Sequence, residues 1–501
     1  MNLRLRTEHS FGYAIGKVDK VMSAISTPWA GIADRHGTWG HIRWMRACKA
    51  ADRKPIFGVE LAVVHDMELR EKQQVNYMSF IARNDAGLRE VYELTTLATS
   101  KFYYHPRLDY GHLAEVSDNV IVLSGAHPDF ERLPMKPNIF VELNQLSSPD
   151  IVRATSLGKL VATGDNLYPR PSDKGAYDII VGKDRQMRTA SAHIISEHEW
   201  LESWPEHRQA IALGTSLASE CTATLPKAQL LHPDMKVTLQ DMCIAGAKER
   251  KINLDNKVYG DRLERELKLI EDKEFEDYFF IVADLVNWAK QHMLVGPARG
   301  SSCGSLVCYL IGITDIDPIP YDLLFERFID INRKDLPDID IDFQDDRREL
   351  AFDYLKEKYG HENVARLGTI NVFKAKSALG DCAKELGIPQ WEVADLKDSI
   401  IERSTGDSRA AFCILDTFEQ LEIGRLTLQK YPELAVSAEL EGCARHTGMH
   451  AAGIIITANP IANYCSVNEH TKTAMIDKYD AEDLTHWDCA PSAFCRTPST
   501  K

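Results

Sequence analysis

Over the first 225 residues, short apolar runs alternate with helix-period segments. Strand-like pieces fall at Trp29–Ala33, Pro55–Val64, Asn76–Ala82, Asn119–Leu123, Asn138–Val141 and Lys159–Ala162. Helix-like patterns cover Val18–Ile25, His41–Ala51, Ala86–Ser100 and Asp150–Leu157. Strands alternating with helices predict a parallel α/β sheet or barrel. The pattern changes at Pro226–Pro233. From there to about residue 290 it is helical, with Leu263, Leu267 and Ile270 recurring on one face. A Gly/Ser-rich turn at 296–305, an apolar stretch at 306–313 and an acidic strand at 338–343 follow. Residues 346–435 return to helical periodicity, and 441–457 read as a turn leading into a strand at Gly453–Thr457. Residues 485–501 have no period and are expected to be an unstructured tail.

Composition narrows the class. The 501 residues are 44% hydrophobic and 27% charged. That is enough chain for two to four domains at about 150 residues each. Lys plus Arg number 59 against 74 Asp plus Glu, a net charge of −15. This excludes a generally basic nucleic-acid binder but not a local cationic groove. The N-terminus has no apolar core of a signal peptide, and no apolar run is long enough for a membrane span. The eleven cysteines stand singly, without a CxxC pair. They read as reduced thiols of a cytoplasmic protein rather than a disulfide frame or zinc ribbon.

The candidate chemistry starts at Leu336-Pro-Asp338-Ile-Asp340-Ile-Asp342-Phe343. On a strand the three carboxylates share one face while Ile339, Ile341 and Phe343 pack behind it. Successive carboxylates are then about 6.5–7 Å apart at the backbone. Three like charges on one face repel, and a divalent cation reverses that sign. Oxygen ligands suit Mg²⁺, alone or as a two-metal pair. A solvated edge strand explains an isolated run of this kind equally well. Upstream lies Gly296-Pro-Ala-Arg299-Gly300-Ser301-Ser302-Cys-Gly304-Ser305. Its small residues allow backbone N–H groups to approach phosphate oxygens, with Arg299 as a further donor. It lacks the Gly-Lys-Ser/Thr of a Walker A loop. Alone it reads as a packing turn; beside a carboxylate strand it reads as a triphosphate site.

The run VGPARGSSCGSLVCYLIGITDIDPIPYDLLFERF, then LPDIDIDF, Arg445-His-Thr-Gly-Met-His450-Ala-Ala-Gly453 and Lys478-Tyr-Asp-Ala-Glu-Asp-Leu484 closely resemble the C-family replicative polymerases, the bacterial DNA polymerase III alpha subunits. The resemblance covers 1–484 and implies a truncated member, of bacterial or phage type. It implies an α/β fold: an N-terminal PHP-type (polymerase and histidinol phosphatase) α/β barrel, then a polymerase-β-like nucleotidyltransferase palm with a helical thumb. The divisions expected are 1–225 for the PHP-like domain, 226–375 for the connector and palm with the Asp strand, and 376–435 for the thumb. The palm continues at 436–484, and 485–501 is an aberrant tail. Carried over, Asp340 and Asp342 bind two Mg²⁺ ions and are catalytic, with Asp338 in a supporting place. Gly300 and Ser301 hold the incoming triphosphate, with Arg299 beside them. Lys374 and Lys376 fall near lysines that face template or nucleotide, although the local lengths differ and Gly380 stands where the family has Arg. Arg445 and His450 fall near the nucleotide, or cap the entry to a strand. The implied reaction is template-directed DNA synthesis, in which a primer 3′-hydroxyl attacks the α-phosphate of a dNTP. The partners implied are primer–template DNA and dNTPs. The regions for the sliding clamp and other replisome subunits have no counterpart here.

Two departures qualify the resemblance. Active PHP members open with HxHS, and here the stretch is Thr7-Glu8-His9-Ser10. The usual Asp-His-Gly reads Asp34-Arg35-His36-Gly37, and a later ligand His is Leu167. The remaining set, His9, Asp34, His36, Glu60 and Asp165, is a degenerate metal site even if a one-residue shift lets His36 serve. Loss of three nitrogen ligands should abolish Zn²⁺ or Mn²⁺ binding and with it any 3′–5′ exonuclease or phosphoesterase activity. The second departure is the tail. The family's third palm carboxylate precedes a Leu-Gly-Leu-Arg run; here Asp488 lies near that spacing with different flanks. Read one frame over, the codons spanning His486-Trp-Asp-Cys spell Leu-Gly-Leu for any synonymous choice, and the next triplet allows Arg. A frameshift that removes the third carboxylate is therefore expected, with a natural tail or a gene-model error as the alternatives. The functional alternative to a polymerase is a catalytically silent fragment that binds DNA or nucleotide weakly.

Overall fold

The computed structural model describes residues 2–125, 128–145, 147, 151, 159–181, 192–227, 231–234, 236–330, 337, 339–400, 413–477 and 480. The chain forms two compact units. The first comprises Met1–Leu225, Thr369–Gly448 and Asn468–His470; the second comprises Pro226–Gly368, Met449–Val467 and Thr471–Lys501.

The first unit is built on a seven-stranded sheet. Its strands are β1 (Trp29–Arg35), β2 (Lys54–Val64), β3 (Asn76–Ala82), β4 (Arg107–Asp109), β5 (Val120–Leu123), β6 (Ile139–Leu143) and β7 (Lys159–Ala162). The order is β1-β2-β3-β5-β6-β7, with β4 on β2. The all-parallel expectation fails at β3, which runs antiparallel to both β2 and β5. No helix separates β2 from β3, so the connection lacks the crossover that a parallel pair requires. The N-terminal residues bridge the open side. Leu5 N donates to Gly31 O (2.8 Å) and Leu5 O accepts from Ala33 N (2.8 Å) on β1. On the other flank, Arg6 N donates to Asn166 Oδ1 (2.9 Å) and Asn166 Nδ2 donates to Arg6 O (2.8 Å), just past β7.

The helix Asp85–Ser100 starts where its cap is encoded: Asn84 Oδ1 accepts from Gly87 N. Its buried Leu88, Val91 and Tyr92 join Phe57, Val59 and Phe80 of the strands in one core. Helices Ala375–Glu385, Ala394–Ser399, Cys413–Gln420 and Glu422–Lys430 follow in the same unit. A second core packs Leu379, Cys382 and Phe418 from these helices with Ile15, Leu167, Tyr168 and Tyr177. The expected helix Asp150–Leu157 lies outside the described residues except for Ile151.

In the second unit, helices Leu239–Glu249, Lys257–Asp272, Glu276–His292, Leu306–Leu310 and Arg348–Tyr359 surround a core that includes Leu263, Ile270, Phe279, Ile339 and Ile341. A Cβ on Gly246 would lie 1.8 Å from Leu310 O, so only glycine allows the first and fourth of these helices to meet. Strands β8 (Val364–Val372), β9 (Ala444–Ile456), β10 (Val467–Asn468) and β11 (Thr473–Asp477) form a sheet in the order β10-β11-β8-β9. The strand expected at Gly453–Thr457 begins at Ala444. Its polar first half hid it from an apolar count, yet β9 is an edge strand, where polar side chains are tolerated. Among the described residues no helix is long and apolar enough to cross a membrane. The described cysteines are free thiols.

Candidate active site

Within the second unit, the acidic segment keeps its alternation. Ile339, Ile341 and Phe343 are buried, and Asp340 and Asp342 are half-exposed. It is not a full strand. Its contacts with residues 294–296 reduce to an antiparallel bridge between Val295 and Phe343, flanked by Gly296 N to Asp342 O (2.8 Å) and Gln344 N to Leu294 O (3.0 Å). Ile339 N donates to Tyr278 Oη at 3.1 Å, tying the segment to the 276–292 helix. Asp338 lies outside the described residues.

This pairing brings the Gly/Ser turn over the carboxylates. A Cβ on Gly296 would lie 3.0 Å from Asp342 Cβ. Gly300 has φ +68°, and a Cβ there would lie 3.3 Å from Asp340 Oδ2. Any side chain at either position would press on the acidic pair, and at Gly300 it would also strain the backbone. Arg299 Nη1 donates to Asp342 Oδ1 at 2.6 Å. That bond, with the charges of Asp342 and Asp340, raises the guanidinium pKa further. Ser301, half-buried, follows in the short 3₁₀ turn Gly300–Gly304.

Hard carboxylate oxygens side by side, part-exposed and backed by an apolar face, are a donor set that fits Mg²⁺, which needs only one or two carboxylates when phosphates complete its shell. Among the described residues no cluster of three or more His, Cys, Asp or Glu is arranged for a metal. Asp488 lies outside them.

Arg299, Gly300, Asp340 and Asp342 are thus brought together, with Ser301 adjacent. His450, half-buried, lies in the stretch of β9 from residue 449 onward, which belongs to the same unit. The other candidates belong to the first unit. Lys374 is exposed at the N-cap of the 375–385 helix, and Lys376 lies half-buried in its first turn. Arg445 Nη2 pairs with Asp381 Oδ2 (2.9 Å) and its guanidinium lies over Phe373. At Gly380 a Cβ would lie 3.0 Å from Lys397 Nζ, the mobile end of a long side chain that can move aside.

The degenerate PHP-type residues separate into two groups. In one, Asp34 accepts from Thr7 N (2.6 Å), Thr7 Oγ1 (2.8 Å) and Ser10 Oγ (2.6 Å). Burial pushes its carboxyl up to about 6 against those bonds. His9 is buried against Thr7 Oγ1 (3.0 Å); its Nε2 has no hydrogen-bond partner, and burial lowers its pKa to about 3. In the other, Glu60 and Asp165 meet arginines. Arg4 pairs with Glu142 (2.7 Å), Glu60 (3.3 Å) and Asp165 (3.3 Å). Arg6 pairs with Glu60 and Asp165, and Arg35 with Glu60. Burial alone would raise Glu60, but Arg35, Arg6 and Arg4 outweigh it and hold the carboxyl well below the usual range. Asp165 is lowered in the same way by Arg6 and Arg4. The Arg35 guanidinium also lies 3.7 Å from the Tyr77 ring centroid. His36 stacks parallel to His105 with neither ring nitrogen hydrogen-bonded, and burial takes it to about 3.

Three guanidinium groups therefore face three carboxylates. Leu167 is a core residue, and Asn166 beside it ties Arg6. Arg4, Arg6 and Glu142 were missed in the sequence. The available signal was Arg4-Leu5-Arg6, two charges at strand period flanking a leucine that is itself buried.

Comparison with known proteins follows the same division. Residues 237–489 match the family described as the bacterial DNA polymerase III alpha NTPase domain, and residues 2–140 match the PHP domain family. DNA polymerase III subunit alpha of Aquifex aeolicus is 29% identical over 97% of this chain and 50% of its own length. The subunit alpha of Staphylococcus aureus strain NCTC 8325 is 29% identical over 91% of this chain and 42% of its own. The chain spans about half the length of the curated relatives it matches. With a PHP domain leading into a glycine-lined pair of carboxylates that the family match encloses, the chain belongs to the bacterial DNA polymerase III alpha family.

Proposed function

We propose that the second unit carries the nucleotidyl-transfer centre of a DNA-templated DNA polymerase that works in replication. The observation that carries this reading is the packing of Gly296 and Gly300 against Asp342 and Asp340, with Arg299 bonded to Asp342. Asp340 and Asp342 would hold divalent cations, generally Mg²⁺ in this family, and these when bound supply Lewis-acid activation of the primer hydroxyl and charge neutralisation at the phosphates. The chain's own residues do the positioning. The Gly300–Ser301 turn offers backbone and hydroxyl donors to phosphate oxygens. Arg299 moves from Asp342 to the triphosphate as the negative charge arrives. The apolar face of Ile339, Ile341 and Phe343 keeps the carboxylates from rotating away. His450, in the same unit, is a proposed contact to template or nucleotide.

A second reading is weak nucleotide or DNA binding without turnover at the same carboxylates and turn. Primer extension separates the two. The first reading expects extension by the native chain that Asp340→Ala and Asp342→Ala each abolish. Extension that survives both substitutions overturns the palm assignment. No extension, with dNTP binding that still needs Asp342, favours the second.

A further inference from the structure

A carboxylate of the second unit with both oxygens filled lies outside the acidic segment. Glu266 sits on the 257–272 helix, on the face that buries Leu263 and Ile270, and is itself 0% exposed. A carboxylate there is costly unless both oxygens are filled. Oε1 accepts from Leu306 N (3.0 Å) and Arg262 Nε (2.6 Å). Oε2 accepts from Ser305 Oγ (2.9 Å) and Val307 N (3.0 Å). Arg262, one helical turn earlier, donates Nη2 to Gly304 O (2.6 Å) and Leu323 O (2.9 Å).

The two side chains thus clasp residues 304–307 from both sides. From the clasp, short bonds run back to the acidic pair. Ser305 N donates to Ser302 O (3.1 Å), Ser302 Oγ donates to Arg299 O (2.8 Å), and Arg299 reaches Asp342. Gly304 itself is held close, since a Cβ would lie 2.6 Å from Leu324 O. The amides at the start of the 306–310 helix, which could otherwise attract an anion, are already occupied by Glu266. Phosphate is left to the Gly300–Ser301 turn.

We propose that Glu266, oriented by Arg262, is the positioning residue of the triphosphate-binding turn: its carboxylate fixes Ser305–Val307 and thereby sets where Arg299–Ser301 stand over Asp340 and Asp342. The proposal rests on the nucleotide-binding reading above.

The test uses the full chain with Glu266→Gln and the milder Ser305→Ala. Each Glu266 oxygen accepts two donors, so a glutamine NH₂ must face two of them. Three quantities are measured: dATP affinity in Mg²⁺ by calorimetry, Mn²⁺ affinity by electron paramagnetic resonance, and amide exchange at 300–307 against the 276–292 helix. Glu266→Gln should weaken dATP binding by roughly ten- to a hundredfold, the scale of an ångström-level misplacement. It should speed exchange at 300–307 and leave Mn²⁺ binding and the 276–292 helix unchanged. Ser305→Ala should move the same quantities less, and it carries the test if Glu266→Gln does not fold. Unchanged exchange at 300–307, or unchanged dATP affinity in a variant whose turn has loosened, overturns the proposal. So does parallel loss of dATP, Mn²⁺ and helix protection, which marks a role in folding only. If the native chain binds no dATP, the nucleotide reading falls, and exchange at 300–307 alone then decides what Glu266 holds.

Discussion

Replacing Glu60 by glutamine tests whether the arginine cluster of the first unit has taken over the role of a metal. Glu60 is 1% exposed and contacts Arg4, Arg6 and Arg35, of which Arg4 and Arg6 are 2% exposed. Glutamine keeps the volume but removes the charge, leaving three guanidinium groups against two carboxylates. Removing one partner from a buried ion pair costs about 3–5 kcal/mol, because the remaining charge is uncompensated. For a unit of this size that lowers the melting temperature by on the order of 10 °C. Thermal and urea melts of the full chain, followed by near-ultraviolet circular dichroism and tryptophan fluorescence, read the change. The double variant Glu60→Gln, Arg35→Gln restores the charge count, and the two substitutions should couple by about 1–3 kcal/mol. A loss below about 1 kcal/mol in the single variant, against the 3–5 expected of a buried pair, would refute the reasoning. So would strict additivity in the double variant.

The same cluster sets an acid limb. Glu60 and Asp165 have folded pKa values below their unfolded ones, so their contribution is present above the ordinary carboxylate range near pH 4 and is lost as pH falls toward the folded values. Acid titration of the first unit should therefore be steep below about pH 5, and shallower in Glu60→Gln. Leu379, 0% exposed in the core shared by residues 15–192 and 373–443, should cost about 2–5 kcal/mol as alanine and expose the 413–430 helices to limited proteolysis; an unchanged digestion pattern would deny that core its role. Arg299→Gln should bind Mn²⁺ several-fold more tightly, since the guanidinium competes for Asp342, and dATP more weakly; equal affinities in calorimetric titrations would sever that link.

Much of this architecture was legible because burial writes a period into the chain. Six of the seven strands of the first sheet, all but the short β4, and the 85–100 helix follow apolar runs and a cap that a reader can count, and the alternation at 339–343 survives as alternating burial. What was not legible depends on partners distant in sequence. The antiparallel placement of β3 is a property of the connection rather than of the strand. The first half of β9 is polar because it lies on an edge. The partners of Arg4 and Arg6 become visible only when Glu60, Glu142 and Asp165, drawn from three separate strands or strand ends, are folded around them. Glu266 was likewise hidden, one charged position on a helix face that buries Leu263 and Ile270, three of whose four donors lie some forty residues on.

Where a cation can bind is decided by what each carboxylate has already found. Glu60, Glu142 and Asp165 face an equal number of guanidinium groups, Glu266 is filled by two amides, a hydroxyl and an arginine, and Asp34 by three donors from Thr7 and Ser10. A divalent ion entering any of these would have to expel fixed donors from a dry interior. Asp340 and Asp342 differ. Arg299 pairs with Asp342 alone, both carboxylates remain half-exposed, and that one guanidinium leaves one negative charge of the two unmatched by it. Part of the chain's −15 is thus concentrated on carboxylates that solvent reaches. Mn²⁺ titrated into the full chain should broaden or cleave at residues 296–301 and 339–343 and spare 4–10, 34–36, 60 and 165. Saturable binding that persists in Asp340→Ala, Asp342→Ala, or that maps to Glu60 and Asp165, would show that the arginines do not exclude metal and that the charge argument is wrong.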